Sequence, residues 1–189
     1  MADVVYASDF RNGITFEYEN SVYTIKKFQH VKPGKGAAFV RATIRDVKNG
    51  GVIERTFRPE EKFNTAMIER KDMQYLYNYD GTFYFMDEAT GDQIELSEEQ
   101  LDGALKFVKE NEFVTILSHN GSVFGVEAPN FVELEIVHTE PGARGNTATN
   151  VMKPATVETG AEIDVPLFIE IGDKIKIDTR TEEYLGRAK

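Results

Sequence analysis

Cysteine is missing altogether from the 189 residues. Its absence excludes a disulfide framework, a thiolate metal site and a cysteine nucleophile, and is compatible with a reducing compartment. Histidine is scarce: His30, His119 and His138, with no His-x-x-x-His pair among them. No metal is expected, because a site would have to be assembled from scattered ligands. The chain also lacks a Gly-x-x-x-x-Gly-Lys-Ser/Thr loop and a Gly-x-Ser-x-Gly elbow. Those absences remove the usual nucleotide-phosphate cradle and the serine-hydrolase nucleophile. Long hydrophobic runs are missing as well, and none approaches the roughly 20 residues that span a bilayer. The start, Met1-Ala2-Asp3-Val4-Val5-Tyr6, has neither the basic nor the apolar segment of a signal peptide. With 41% apolar and 29% charged residues the composition is that of a folded globular chain. The expectation is a soluble, cytoplasmic protein that is not an enzyme, needs no cofactor and touches no membrane.

What is present, above all, is β signal. Short β-branched and aromatic runs are separated by Asn12-Gly13, Asn49-Gly50-Gly51, Asp80-Gly81, Gly91-Asp92 and Asn120-Gly121. The pattern is cleanest around Asp80-Gly81, with Met73–Tyr79 leading in and Thr82–Met86 leading out. One segment departs from it. Ser97-Glu98-Glu99-Gln100 is a capping-box pattern, and Leu101, Leu105 and Val108 follow at helical spacing, so a helix is predicted over about 98–110. Gly103 weakens that helix by about 1 kcal/mol relative to Ala.

Two boundaries divide the chain. Phe57–Lys62 is charged and holds Pro59, and Ala128-Pro129-Asn130 precedes the fresh alternating run Val132–Val137. The segments 1–64, 65–127 and 128–189 are each long enough for a small barrel, so the prediction is a mainly β protein of three barrels. Charge follows the same division. Residues 1–64 hold 11 basic and 8 acidic side chains, net +3; residues 65–127 hold 4 and 13, net −9; residues 128–189 hold 7 and 11, net −4. The total of −10 argues against a simple polyanion binder, whereas the uneven distribution leaves one end free to face one.

The most unusual segment is Lys32-Pro33-Gly34-Lys35-Gly36, between the strand-like runs Val22–Phe28 and Ala37–Ile44. Pro33 presets its own φ, and glycines on both sides of Lys35 admit angles that other residues avoid. The spacing puts Lys35 at the tip of a hairpin, exposed, mobile and uncrowded. On composition alone, a plain soluble turn with two lysines is the favoured reading.

That loop and the C-terminal run together resemble the bacterial translation elongation factor P family. The family signature reads here Lys153-Pro154-Ala155, Gly160, Ile163, Val165-Pro166, Ile169, Gly172, and near the C-terminus the chain reads Asp178-Thr179-Arg180 and Glu183-Tyr184-Leu185-Gly186-Arg187. The resemblance implies an L-shaped arrangement of an SH3-like (KOW-type) barrel and two OB-fold barrels. It also implies a monomeric, non-enzymatic factor bound to both ribosomal subunits between the P and E sites, relieving stalling at consecutive prolines. Lys35 would then be the functional tip and the target of a lysine-modifying enzyme, flanked by Lys32, Pro33, Gly34 and Gly36. Tyr184 and Arg187 would meet the P-site peptidyl-tRNA, and Gly145, Asn146 and Thr147 would face the E-site mRNA codon. Asn146 departs from the family, which commonly has Asp there. Three alternatives remain: a paralogous translation factor, a general OB-type single-strand nucleic-acid binder, and an enzyme with a scattered carboxylate site.

Overall fold

The computed structural model describes residues 3–142 and 150–189. It begins with β1 (Val4–Tyr6) and a 3-10 turn at Ala7–Asp9, followed by β2 (Thr15–Tyr18), β3 (Ser21–Val31), β4 (Phe39–Asp46), β5 (Val52–Phe57) and β6 (Lys62–Asn64). Strands β2 to β5 form an antiparallel sheet in sequence order, and β1 pairs with β6. An aromatic core holds them together. Phe10 and Phe16 are fully buried, with ring centres 5.1 Å apart, and Phe57 stands edge-on to Phe10 at 5.5 Å. Each such pair adds about 0.5–1.5 kcal/mol beyond simple burial. The charged stretch 57–62 is a turn, closed by the Glu61 amide on the Arg58 carbonyl at 3.0 Å. It folds Phe57 and Phe63 into the same core, with ring centres 5.2 Å apart.

A second sheet contains β7 (Glu69–Tyr79), β8 (Thr82–Met86), β9 (Gln93–Ser97), β10 (Phe113–His119) and β11 (Ser122–Glu127), ordered β11-β10-β7-β8-β9. Asp80 (φ 49°) and Gly81 (φ 75°) supply the two positive φ angles of a tight hairpin turn, as their dipeptide predicts.

The helix is much shorter than the spacing predicts. α1 covers only Glu98–Leu101. Its capping box is present: the Gln100 amide donates to Ser97 Oγ at 3.4 Å and the Ser97 amide to Gln100 Oε1 at 2.9 Å. The helix then stops, because Asp102 (φ 50°) and Gly103 (φ 76°) are both left-handed and turn the chain out of the helical path. As a result Phe107 and Val108 are buried while Leu105 is only half-buried, a pattern that helical spacing does not give.

The third sheet consists of β12 (Phe131–Thr139), β13 (Met152–Val157), β14 (Glu162–Pro166), β15 (Lys174–Asp178) and β16 (Glu183–Arg187), ordered β14-β13-β12-β15-β16. The sheet curls until its edge strands β14 and β16 meet. The signature residues explain themselves here. Ala155, Ile163, Val165 and Ile169 are buried in the core, while Gly160 (φ 87°) and Gly172 (φ 92°) occupy turns where a side chain would be strained. Lys153 is buried as well, its ammonium donating to the Glu140 carbonyl at 2.6 Å.

The chain forms two compact units, Met1–Lys71 with Ile116–Gly125 and Asp72–Thr115 with Val126–Lys189. Within the second unit, Phe107 belongs to the same core cluster as Leu134, Ile136 and Val157 of the third sheet. Beside it, Lys106 Nζ lies 3.1 Å from both carboxylate oxygens of Glu182, and its carbonyl accepts from Thr159 Oγ1 at 2.8 Å. Among the described residues no helix is long and apolar enough to cross a membrane.

Candidate functional site

The β3–β4 hairpin carries the candidate tip. Ile25, Val40, Ala42 and Ile44 anchor its base in the aromatic core, and a bulge between Ile25 and Lys27 lets β3 continue beyond it. Past the core the ladder runs on to Val31 opposite Phe39. Side-chain packing stiffens this extension. His30 stands edge-on to Phe28 at 5.5 Å, the Arg11 guanidinium lies 5.7 Å over Phe28, and Arg41 lies 5.8 Å over Phe39.

Residues 32–38 then form the loop, and Lys32, Pro33, Gly34, Lys35 and Gly36 are all exposed. Among the described residues Lys35 has no hydrogen-bond or ion-pair partner in the protein. Only one of its flanking glycines needs its special backbone. Gly36 has φ +106°, whereas Gly34 lies outside the positive-φ region. Pro33 Cγ is the sole atom within 4 Å of a side chain built at Gly36, and nothing lies that close at Gly34. From Ser21 to Arg45 the hairpin has six Lys or Arg and no carboxylate. A strand pair so charged, ending in an unpaired ammonium, suits a polyanion and repels a cation.

The C-terminal candidates lie on β16. Tyr184 pairs with Ile177 and Arg187 with Ile175, and a bulge between these pairs takes up one residue. In a regular strand residues three apart point to opposite faces; the bulge puts Tyr184 and Arg187 on one face. Tyr184 is half-buried against the third-sheet core, and its exposed side borders a depression of about 610 Å³ with Pro154 and Thr181. Arg187 is exposed, with Nη2 donating to the Phe168 carbonyl at 3.2 Å and to Asp173 Oδ2 at 3.3 Å. Gly145, Asn146 and Thr147 lie outside the described residues.

Two features escape a reading of the sequence. Arg180 grips Asp178 through Nε at 3.1 Å and Nη2 at 2.9 Å, and lies 5.3 Å over the ring of Phe131, with Lys176 at 5.1 Å from the same ring. The Arg180 hydrogen bond holds the Asp178 carboxyl below its ordinary range and the guanidinium above its own. The second is the contact of Arg187 with Phe168 and Asp173, which lie 19 and 14 residues away. The Asp-x-Arg spacing could have signalled the first; no local pattern signals the second. Glu135 and His138 stand three apart on a strand, and among the described residues no group of three or more His, Asp or Glu could hold a metal.

Comparison with known proteins agrees with this architecture. Three family models match in succession: the elongation factor P KOW-like domain over residues 6–63, its OB domain over 68–126, and its C-terminal domain over 132–187. Elongation factor P of Caldicellulosiruptor saccharolyticus is 62% identical over 184 residues, which is 97% of this chain and all of that one. Elongation factor P of Clostridium tetani is 62% identical over the same spans. A solved structure, the translation initiation factor 5A of Methanococcus jannaschii, aligns with 66% of this chain and 96% of its own at 20% identity and TM-score 0.43, too slight a likeness to bear on function. The chain belongs to the elongation factor P family, non-enzymatic translation factors that bind the ribosome and relieve stalling at consecutive prolines.

Proposed function

We propose that the chain binds across both ribosomal subunits between the P and E sites and directs Lys35 at the end of the P-site peptidyl-tRNA. The supporting observation is the hairpin: a stiffened strand pair with no carboxylate between Ser21 and Arg45, ending in an exposed lysine with no protein partner among the described residues. Proline is a poor nucleophile and constrains the nascent chain, so the reactants are badly placed. A factor that holds the peptidyl-tRNA end in a reactive geometry accelerates transfer without supplying an acid or a base. Lysine supplies charge-assisted contacts to phosphates and 2′-hydroxyls. By ordinary bond lengths its arm reaches about 6 Å from Cα, and a covalent extension added by a lysine-modifying enzyme lengthens it.

The segments 1–64, 65–127 and 128–189 act in this reading as separate contact modules, the first cationic and facing RNA. Tyr184 and Arg187 meet the same tRNA, the ring by stacking and the guanidinium on a phosphate. The bulge that sets both on one face supports that pairing. Gly145–Thr147 face the E-site codon, and the factor works as a cytoplasmic monomer.

Lys35→Ala abolishes rescue of a Pro-Pro-Pro reporter while leaving the unfolding transition unchanged, and Lys32→Ala costs less. Full rescue by Lys35→Ala would overturn the assignment. The intact mass of the protein from its native host exceeds the sequence mass by the added group, and Lys35→Ala removes that excess.

A further inference from the structure

We propose that Phe168 is a positioning residue that holds the Arg187 guanidinium ready for an RNA phosphate, which rests on the reading of Arg187 as a tRNA contact. Phe168 is 59% exposed, so core packing does not account for a ring at this position. The guanidinium lies over that ring, 5.0 Å from its centre. The same residue's carbonyl and Asp173 Oδ2 take hydrogen bonds from Nη2. Nη2 is thereby engaged inside the protein. Among the described residues Nε and Nη1 have no partner, and these are the donors left for a ligand.

Both sides of the clamp stand on fixed backbone. Ile169, next to Phe168, is fully buried, and the Phe168–Asp173 turn is closed by the Glu170 amide on Asp173 Oδ2 at 2.9 Å. Arg187 itself is paired to buried Ile175.

An unrestrained arginine gives up rotamer freedom when it binds, whereas one already laid on a ring loses less, and the saving appears as affinity. The ring is the suitable partner because it restrains the cation without neutralising it. Asp173 does offset part of the charge, but an exposed pair of this kind is weak and leaves the attraction to a phosphate in place.

The test is equilibrium binding of the full chain to purified ribosomes carrying tRNA in the P site, across a salt series, for Arg187→Ala, Phe168→Ala, the double variant and Phe168→Tyr. Arg187→Ala weakens binding by roughly tenfold and flattens the salt dependence, as loss of one phosphate contact does. Phe168→Ala weakens it by about three- to fivefold, adds nothing in the Arg187→Ala background, and is rescued by Phe168→Tyr. Full affinity of Phe168→Ala, or a loss that persists undiminished without Arg187, overturns the positioning role while leaving the arginine contact standing. Full affinity of Arg187→Ala removes the arginine contact and this role with it.

Discussion

The Asp178 carboxylate accepts from the Arg180 backbone amide at 2.9 Å as well as from its guanidinium, and its side chain is 12% exposed. A carboxyl held low in the folded state contributes stability above its ordinary value of 3.8, and that contribution is lost as pH falls through the lower folded value. Asp178→Asn therefore lowers the thermal unfolding midpoint at pH 7, and the gap to the parent closes well below pH 3.8; melts at the two pH values check this. The pair also shows what one residue discloses by itself. Lys35 is legible because its neighbours are glycines and a proline, which constrain the backbone through their own covalent structure. Arg180 shows only in its Asp-x-Arg spacing, and Arg187 not at all, because the fold brings its partners from 14 and 19 residues away.

Among the elements, turns are the most legible and helix length the least. Asp80-Gly81 and Asn120-Gly121 adopt the positive φ angles their dipeptides favour, and strands flank both. Glu19 (φ 47°) and Asn20 (φ 63°) make the same kind of turn with no glycine to announce it. The capping box was readable, since it is a contact between neighbours three residues apart. The helix end was not, since two left-handed residues overrode an apolar spacing that would have served a longer helix. The tip loop depends on one such backbone. Gly36→Ala forces a side chain onto φ +106° and costs about 1–3 kcal/mol in urea unfolding unless the loop reshapes. In either case reporter rescue falls although Lys35 is intact.

For the whole molecule, the residues that disclosed the family are mostly not those that would touch the ribosome. Ala155, Ile163, Val165 and Ile169 fill a core and Gly160 and Gly172 turn corners, so the signature identifies a fold through its packing. Charge was legible at this scale from counting alone, because it needs no knowledge of contacts. The placing of Phe107 was not legible: it is 2% exposed and lies in the third-sheet cluster although it comes from the segment after α1. Phe107→Ala removes a fully packed ring and destabilises the second unit by about 3–5 kcal/mol, measured as a shift in the denaturant midpoint.

Phe107 also governs how the chain can be dissected. A fragment beginning at residue 128 would fold around a missing plug, with Leu134, Ile136 and Val157 lining an empty slot that water cannot profitably fill. Such a piece would recover the lost contacts by collapsing or by pairing with another copy. Its solution behaviour would then report the cut, and a peptide spanning residues 102–112, supplied separately, would reverse that change by refilling the slot.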